Sequence, residues 1–139
     1  KVCDFIAAQE PDKRNDAKEN ITRKTHHNFC KDIISLRKSS PAFDGDAEVN
    51  RVYSHNDNSV LAFHRKKNGE EFIMVGSLNK NNLQNYNIPL RDGKWQLVFN
   101  SDNNKYGGGN YGDGKPWVDG NGGTCFDIPA GGMLVYKKV

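Results

Sequence analysis

At Pro41 the hydrophobic period of this chain changes, and it does not change back. Before it, Phe29, Ile33 and Leu36 fall at i, i+4 and i+7, with Cys30 and Ile34 beside them. That spacing makes one apolar face of a helix. After Pro41, apolar residues alternate with polar ones in short runs separated by turn residues. Alternation puts every second side chain on one face of a strand, so most of the chain must pair as sheet. The helix is expected over 26–38. Lys31, Arg37 and Lys38 take its other face, the last two near the C-terminus, where the helix dipole favours cations. Ser39-Ser40-Pro41 ends it, because the residue before a proline is pushed out of the α region. Residues 10–25 are charged and poor in large apolar side chains, and they read as an exposed connection or a weak polar helix.

Strands are expected at 48–54, 59–66, 70–78, 83–89, 94–100, 124–128 and 132–138. Asn68-Gly69 stands between two apolar runs and predicts a type I′ turn, since both residues tolerate positive φ. Strands 59–66 and 70–78 therefore form a hairpin. Arg91-Asp92-Gly93 makes the next tight turn, and Pro129 starts or precedes an edge. Short strands with turns every 8–12 residues or so indicate an antiparallel sandwich and not alternating βαβ units. The expected fold is all-β: an antiparallel Greek-key β-sandwich preceded by one amphipathic helix. Trp95 falls in phase with Leu97 and Phe99, and Phe63, Phe72, Trp95 and Phe99 are assigned to the core. Residues 101–123 break the pattern, with eight glycines among Tyr106, Tyr111 and Trp117. A loop of that length in a compact domain is usually functional or disordered.

Charge narrows the partners. Residues 1–43 hold nine Lys/Arg against six Asp/Glu, and residues 44–139 hold eleven of each. The second part carries no basic stripe of the kind that tracks phosphates, so no nucleic-acid partner is expected. No apolar run is long enough for a membrane span, and no membrane partner is expected. Mean hydropathy is −0.82, polar but short of disorder because the apolar residues cluster. Cys3, Cys30 and Cys125 lie far apart and are odd in number, which argues against a disulfide framework and a zinc site and for a reducing compartment. The expected location is cytoplasmic. The chain begins at Lys1 and reads as a piece of something longer.

No catalytic constellation emerges. His26 and His27 are adjacent, so on a helix they diverge by about 100° and cannot share a metal. Glu70 and Glu71 face opposite sides of a strand, unlike a glycosidase carboxylate pair. Asp44-Gly45-Asp46, Asn56-Asp57-Asn58 and Asn100 to Asn104 are oxygen-rich, but they lack the ligand ladder of a calcium loop. Gly107-Gly108-Gly109 lacks the Lys-Ser/Thr of a phosphate loop. No catalytic residue, metal ligand or cofactor is assigned. The remaining chemistry is aromatic: sugars present C–H faces that stack on Tyr and Trp rings, with Asn, Asp and glycine backbone to pair hydroxyls. Tyr106, Tyr111 and Trp117, among Asn110, Asp113 and Asp119, are the candidate carbohydrate-binding residues. The competing reading makes Tyr106 and Trp117 plugs over the ends of the sandwich.

Five or six segments, in order, carry a resemblance. They are Val60-Leu61-Ala62-Phe63-His64-Arg65, Phe72-Ile73-Met74-Val75-Gly76-Ser77-Leu78-Asn79, Gly93-Lys94-Trp95, Asn100-Ser101-Asp102, Tyr106-Gly107-Gly108 and Ile128-Pro129-Ala130-Gly131-Gly132-Met133-Leu134-Val135-Tyr136. Together they resemble the all-β C-terminal domain of α-amylase-family glycoside hydrolases and transferases, closest to that of the 1,4-α-glucan branching enzymes. The resemblance covers about residues 44–139. It implies that residues 1–43, with Ile33-Ile34-Ser35-Leu36-Arg37-Lys38 and Pro41-Ala42-Phe43, are the end of a catalytic (β/α)8 barrel. Residues 44–139 are then the β-sandwich domain. The implied function is that of a non-catalytic C-terminal domain of an α-glucan-active enzyme, most nearly the branching type. Its implied partners are the barrel of the same parent chain and, weakly, α-glucan. The family's catalytic carboxylates lie upstream of anything present here. The alternatives are the same domain of an α-amylase or debranching hydrolase, or a stand-alone glucan-binding or structural module.

Overall fold

The computed structural model describes residues 16–90, 93–120 and 124–139. Among the described residues one long helix, α1 (Asp16–Ser39), precedes eight strands. It starts at Asp16 and not at His26, because no glycine or proline interrupts residues 16–39 and a polar sequence of that kind still propagates a helix. Of the two readings of residues 10–25, the polar helix holds over 16–25, and residues 10–15 lie outside the described ones. Ser40 caps a short 3-10 turn, Pro41–Phe43, by accepting a hydrogen bond from the Ala42 amide at 3.2 Å. No described helix is long and apolar enough to cross a membrane.

The strands are β1 (Glu48–His55), β2 (Val60–Lys67), β3 (Glu70–Ser77), β4 (Leu83–Ile88), β5 (Gly93–Asn100), β6 (Trp117–Gly120), β7 (Thr124–Ile128) and β8 (Met133–Lys138). Seven match the expected runs to within a residue or so at each end, and β6 is new. The β2–β3 hairpin closes at Lys67 opposite Glu70, with Asn68 at φ 54° and Gly69 at φ 81°, as a type I′ turn requires. The turn expected at Arg91-Asp92-Gly93 has its first two residues outside the described ones. All pairings are antiparallel, in a six-stranded sheet ordered β1-β2-β3-β8-β5-β6 and a second sheet of β4 and β7. The last strand inserts between β3 and β5, so the large sheet assembles only when the C-terminus has returned.

That large sheet is covered on both faces. Its inner face meets β4 and β7 through Val60, Ala62, Ile73, Val75, Trp95, Leu134 and Tyr136, packed with Ile88, Phe126 and Ile128. Its outer face receives α1, where Phe29, Ile33 and Leu36 pack on Phe72, Phe99 and Val135. This double cover explains why Leu134, Val135 and Tyr136 are all buried in succession at the centre of the sheet.

The assumed phase of Phe99 needs correction. Leu97 pairs with Tyr136 but Phe99 pairs with Val135, which leaves Val98 as the extra residue of a β-bulge. One inserted residue reverses the alternation. Trp95 and Leu97 therefore face the second sheet, whereas Phe99 faces α1 at 5.8 Å from the Phe29 ring. Phe72 also belongs to the helix side, and Phe63 is only half-buried. The cysteine reading is corrected too: Cys30 is disulfide-bonded, and Cys125 is a free, exposed thiol.

Candidate functional site

The glycine-rich segment between β5 and β6 is a folded loop held from within. Asn100, at the end of β5, is buried; its side-chain amide donates to the Tyr111 carbonyl and to the Asp113 carboxylate, both at 2.9 Å. Its oxygen accepts from the Asp102 amide at 2.9 Å. Asp102 in turn accepts from the Tyr111 amide at 3.0 Å through its carboxylate, and from the Asn110 amide at 2.7 Å through its carbonyl. Two glycines are obligatory here. A Cβ on Gly108 would sit 2.1 Å from the Asp102 carbonyl oxygen, inside any allowed contact. Gly112 holds φ 102° against the Asp127 carbonyl and Leu134. The oxygen-rich Asn100 to Asn104 stretch is thus occupied with its own amides, in the manner of Asx-type turns. Among the described residues no three His, Cys, Asp or Glu side chains cluster as a metal site.

The three candidate aromatics part company on this scaffold. Tyr106 ends a 3-10 turn, Asn104–Tyr106, capped by Asn103. Its ring meets Phe29 edge-on at 5.4 Å and Phe99 at 5.7 Å, and its hydroxyl donates to the Asp32 carboxylate of α1. Lys105 joins the same carboxylate at 3.1 Å. The Tyr106 hydroxyl, then Lys105, hold the Asp32 carboxyl below its ordinary range, while burial and the facing carboxylate push the Tyr106 phenol up. A cavity of about 150 Å3 beside Tyr106 is lined by Val98, Asn103, Lys105 and Asp113 among others, and by neither Tyr111 nor Trp117. Tyr106 therefore stitches the loop to the helix. Tyr106→Phe is expected to cost about 1.5–3 kcal/mol in urea unfolding, the range for a hydrogen bond to a charged group. A loss below about 0.3 kcal/mol would contradict this role.

Tyr111 is half-buried, with burial and then the charge of Asp127 raising its phenol. Trp117 is the outlier. It opens edge strand β6 opposite Gln96, is 46% exposed, and carries the Lys94 ammonium 5.3 Å from its ring centroid. Its neighbour Val118 turns inward opposite Trp95, so the alternation of β6 itself drives Trp117 to the surface. Sequence reasoning named Trp117 but not Lys94, whose place follows from a pairing of β5 with a strand hidden among glycines. Asp32 was missed as well, since its partner lies 74 residues away and no local pattern joins them.

Four groups form a separate cluster at the inner face. His64 on β2 is fully buried, and its Nε2–H donates to the Glu71 carboxylate at 2.8 Å; Nδ1 has no hydrogen-bond partner among the described residues. Lys138 reaches the other Glu71 oxygen at 3.2 Å, and the Trp95 ring stands edge-on to His64 at 6.3 Å. Burial pushes the Glu71 carboxyl up, but the His64 and Lys138 bonds outweigh it and hold it below the ordinary range. Their work is to bind β2, β3, β5 and β8 together.

A family model described as "Alpha amylase, C-terminal all-beta domain" matches residues 52–139. The chain is similar to the 1,4-alpha-glucan branching enzyme GlgB of Prochlorococcus marinus: 39% identical over 61 residues in strain NATL1A, covering 42% of this chain and 8% of that protein. In strain MIT 9211 the figures are 35% over 92 residues, 59% and 12%. The chain thus spans roughly a tenth of the length of these relatives. Among solved structures it is similar to an α-amylase from H. orenii, with TM-score 0.56 and 21% identity over 81% of this chain and 20% of that one. It is also similar to the trehalulose synthase MutB from Pseudomonas mesoacidophila MX-45, with TM-score 0.57 and 20% identity over 87% and 19%. At such identities the structural likeness speaks for the fold alone.

Proposed function

Because the chain belongs to the α-amylase C-terminal all-β domain family, we propose that it is the C-terminal domain of a 1,4-α-glucan branching enzyme. In this reading residues 1–43 are the end of the catalytic barrel, and residues 44–139 are the sandwich that follows it. The similarity to GlgB sequences, at higher identity than to the solved amylase-type folds, carries the branching assignment. The parent cuts an α-1,4 link through a glycosyl-enzyme intermediate and passes the chain to a 6-hydroxyl, using carboxylates upstream of this segment. The residues here act by position. Phe29, Ile33 and Leu36, the Tyr106–Asp32 bond and the Arg65 bonds to the Ala42 and Asp44 carbonyls fix the helix and its exit to the sandwich.

The test is the purified full-length parent acting on amylose. Branching lowers the iodine-complex absorbance without new reducing ends, and the 139-residue chain alone does neither. New reducing ends would assign the parent to the hydrolases instead, and a gene without an upstream barrel would leave a stand-alone module.

Direct glucan contact, in the same reading, falls to Trp117, with Tyr111 six residues before it in the chain. One exposed ring supports an affinity near 1 mM, about −4 kcal/mol. Titrated with maltoheptaose and followed by NMR chemical shifts, Trp117→Ala is expected to weaken binding about tenfold, equivalent to about 1.4 kcal/mol. Tyr106→Phe should leave binding unchanged. Equal binding by Trp117→Ala and the parent sequence would remove the site.

A further inference from the structure

We propose that Trp117 is one end of a row of side chains that holds consecutive sugars across three strands, with Gln96 and Lys137 pairing their hydroxyls. The proposal rests on the reading of Trp117 as a glucan contact. Strand register builds the row. Trp117 of β6 stands opposite Gln96 of β5, and Gln96 stands opposite Lys137 of β8. Directly opposite residues share one face of a sheet. Val118, Trp95 and Tyr136, each one position away, fill the inner core, so the row lies on the outer face. Neighbouring strands are about 4.8 Å apart, and the row therefore spans about 10 Å, longer than a single pyranose ring. Its open end is edge strand β6. Its other end is closed: Lys137 pairs with Phe72 of β3, its ammonium 5.8 Å from that ring, and Phe72 is buried with the Phe43 ring at 4.5 Å.

Each member supplies a different part of sugar recognition. The exposed Trp117 ring carries the Lys94 ammonium over one face, which leaves the other face to stack on a sugar. Gln96 is exposed, and its side-chain amide makes no hydrogen bond among the described residues. Its two N–H donors and its carbonyl oxygen are therefore available to ligand hydroxyls. Lys137 sits 3.5 Å from the Glu70 carboxylate, which sets a donor beside an acceptor. The charges balance along the row, because Glu70 answers Lys137 and Asp119 stands opposite Lys94. A surface without net charge suits a neutral, hydroxyl-rich chain better than a phosphate or an acidic peptide, which a positive field would draw in.

The experiment titrates the 139-residue chain with glucose, maltose and maltotriose and follows backbone amide shifts by NMR. Affinity is expected to rise about thirtyfold from glucose to maltotriose, the yield of two net hydrogen bonds beyond the stacked ring. Maltotriose should shift amides of β5 and β8 as well as β6, whereas glucose shifts β6 alone. Gln96→Ala and Lys137→Met, the latter keeping an apolar stem over Phe72, should each weaken maltotriose about fivefold and leave glucose unchanged. Gln84→Ala, an exposed amide on β4 of the second sheet, is the control and should change neither. A rise of about threefold or less, the statistical advantage of three rings at a one-ring site, overturns the row. Unchanged maltotriose binding by both Gln96→Ala and Lys137→Met does the same. In either case Trp117→Ala still weakens binding, and the reading of Trp117 survives. Binding that Trp117→Ala leaves intact, or no binding of any of the three sugars, removes that reading and the row with it.

Discussion

Trp95→Ala is expected to cost 3–5 kcal/mol or so, the range for deleting a fully buried large aromatic side chain. The ring is 0% exposed, stands opposite Val118 on one side and Lys138 on the other, and lies edge-on to His64. Its removal opens a hole between β6, β8 and the second sheet that no neighbour can fill without moving backbone. A domain of this size has only about 5–15 kcal/mol in total. With a urea slope near 2 kcal/mol per M, the unfolding midpoint should fall by about 2 M. A loss under about 1 kcal/mol would show that the ring is not part of the core. Because β6 hangs on β5 beside Trp95, the same variant should also loosen Trp117, visible as a red-shifted emission of the remaining indole.

Glu71→Gln should cost about 1.5–3 kcal/mol at neutral pH, the range for hydrogen bonds to a charged group. Glu71 accepts from the fully buried His64 on one oxygen and from Lys138 on the other, so the single acceptor oxygen of the variant can keep only one of the two bonds. The pH dependence has a definite sign. The folded carboxyl titrates below its unfolded value, so its contribution is complete above the ordinary carboxylate range and is lost as pH falls through the lower, folded value. The unmodified protein should therefore lose stability on acidification through that window, and Glu71→Gln should flatten the curve there. Parallel curves for the two proteins between about pH 6 and pH 3 would refute the assignment. The effects of Trp95→Ala and Glu71→Gln should not add, since both act on the packing of His64.

Local chemistry wrote several parts of this fold into the chain. The switch of period at Pro41 placed the helix before the strands. Asn68-Gly69 set the hairpin and its register, because only a turn with two positive φ values fits there. The spacing of Phe29, Ile33 and Leu36 marked one apolar face of the helix, and that face is the one packed on the sheet. Each of these signals spans a few residues, within reach of backbone and side-chain preferences alone.

Other parts were decided only when distant segments met. The bulge at Val98 exists because β5 must pair with β8 while serving two cores, and no residue type there announces it. Strand β6 is four residues long among glycines; its pairing with β5 makes it a strand, and that pairing exposes Trp117 beneath Lys94. Tyr106 looked like a sugar platform from composition, yet Asp32, on a helix 74 residues away, claims its hydroxyl. The candidate site was legible as residue types, since exposed aromatics among polar turns have a recognisable composition. Which of those rings faces solvent depends on the second partner of each, and a chain names its long-range partners only by folding.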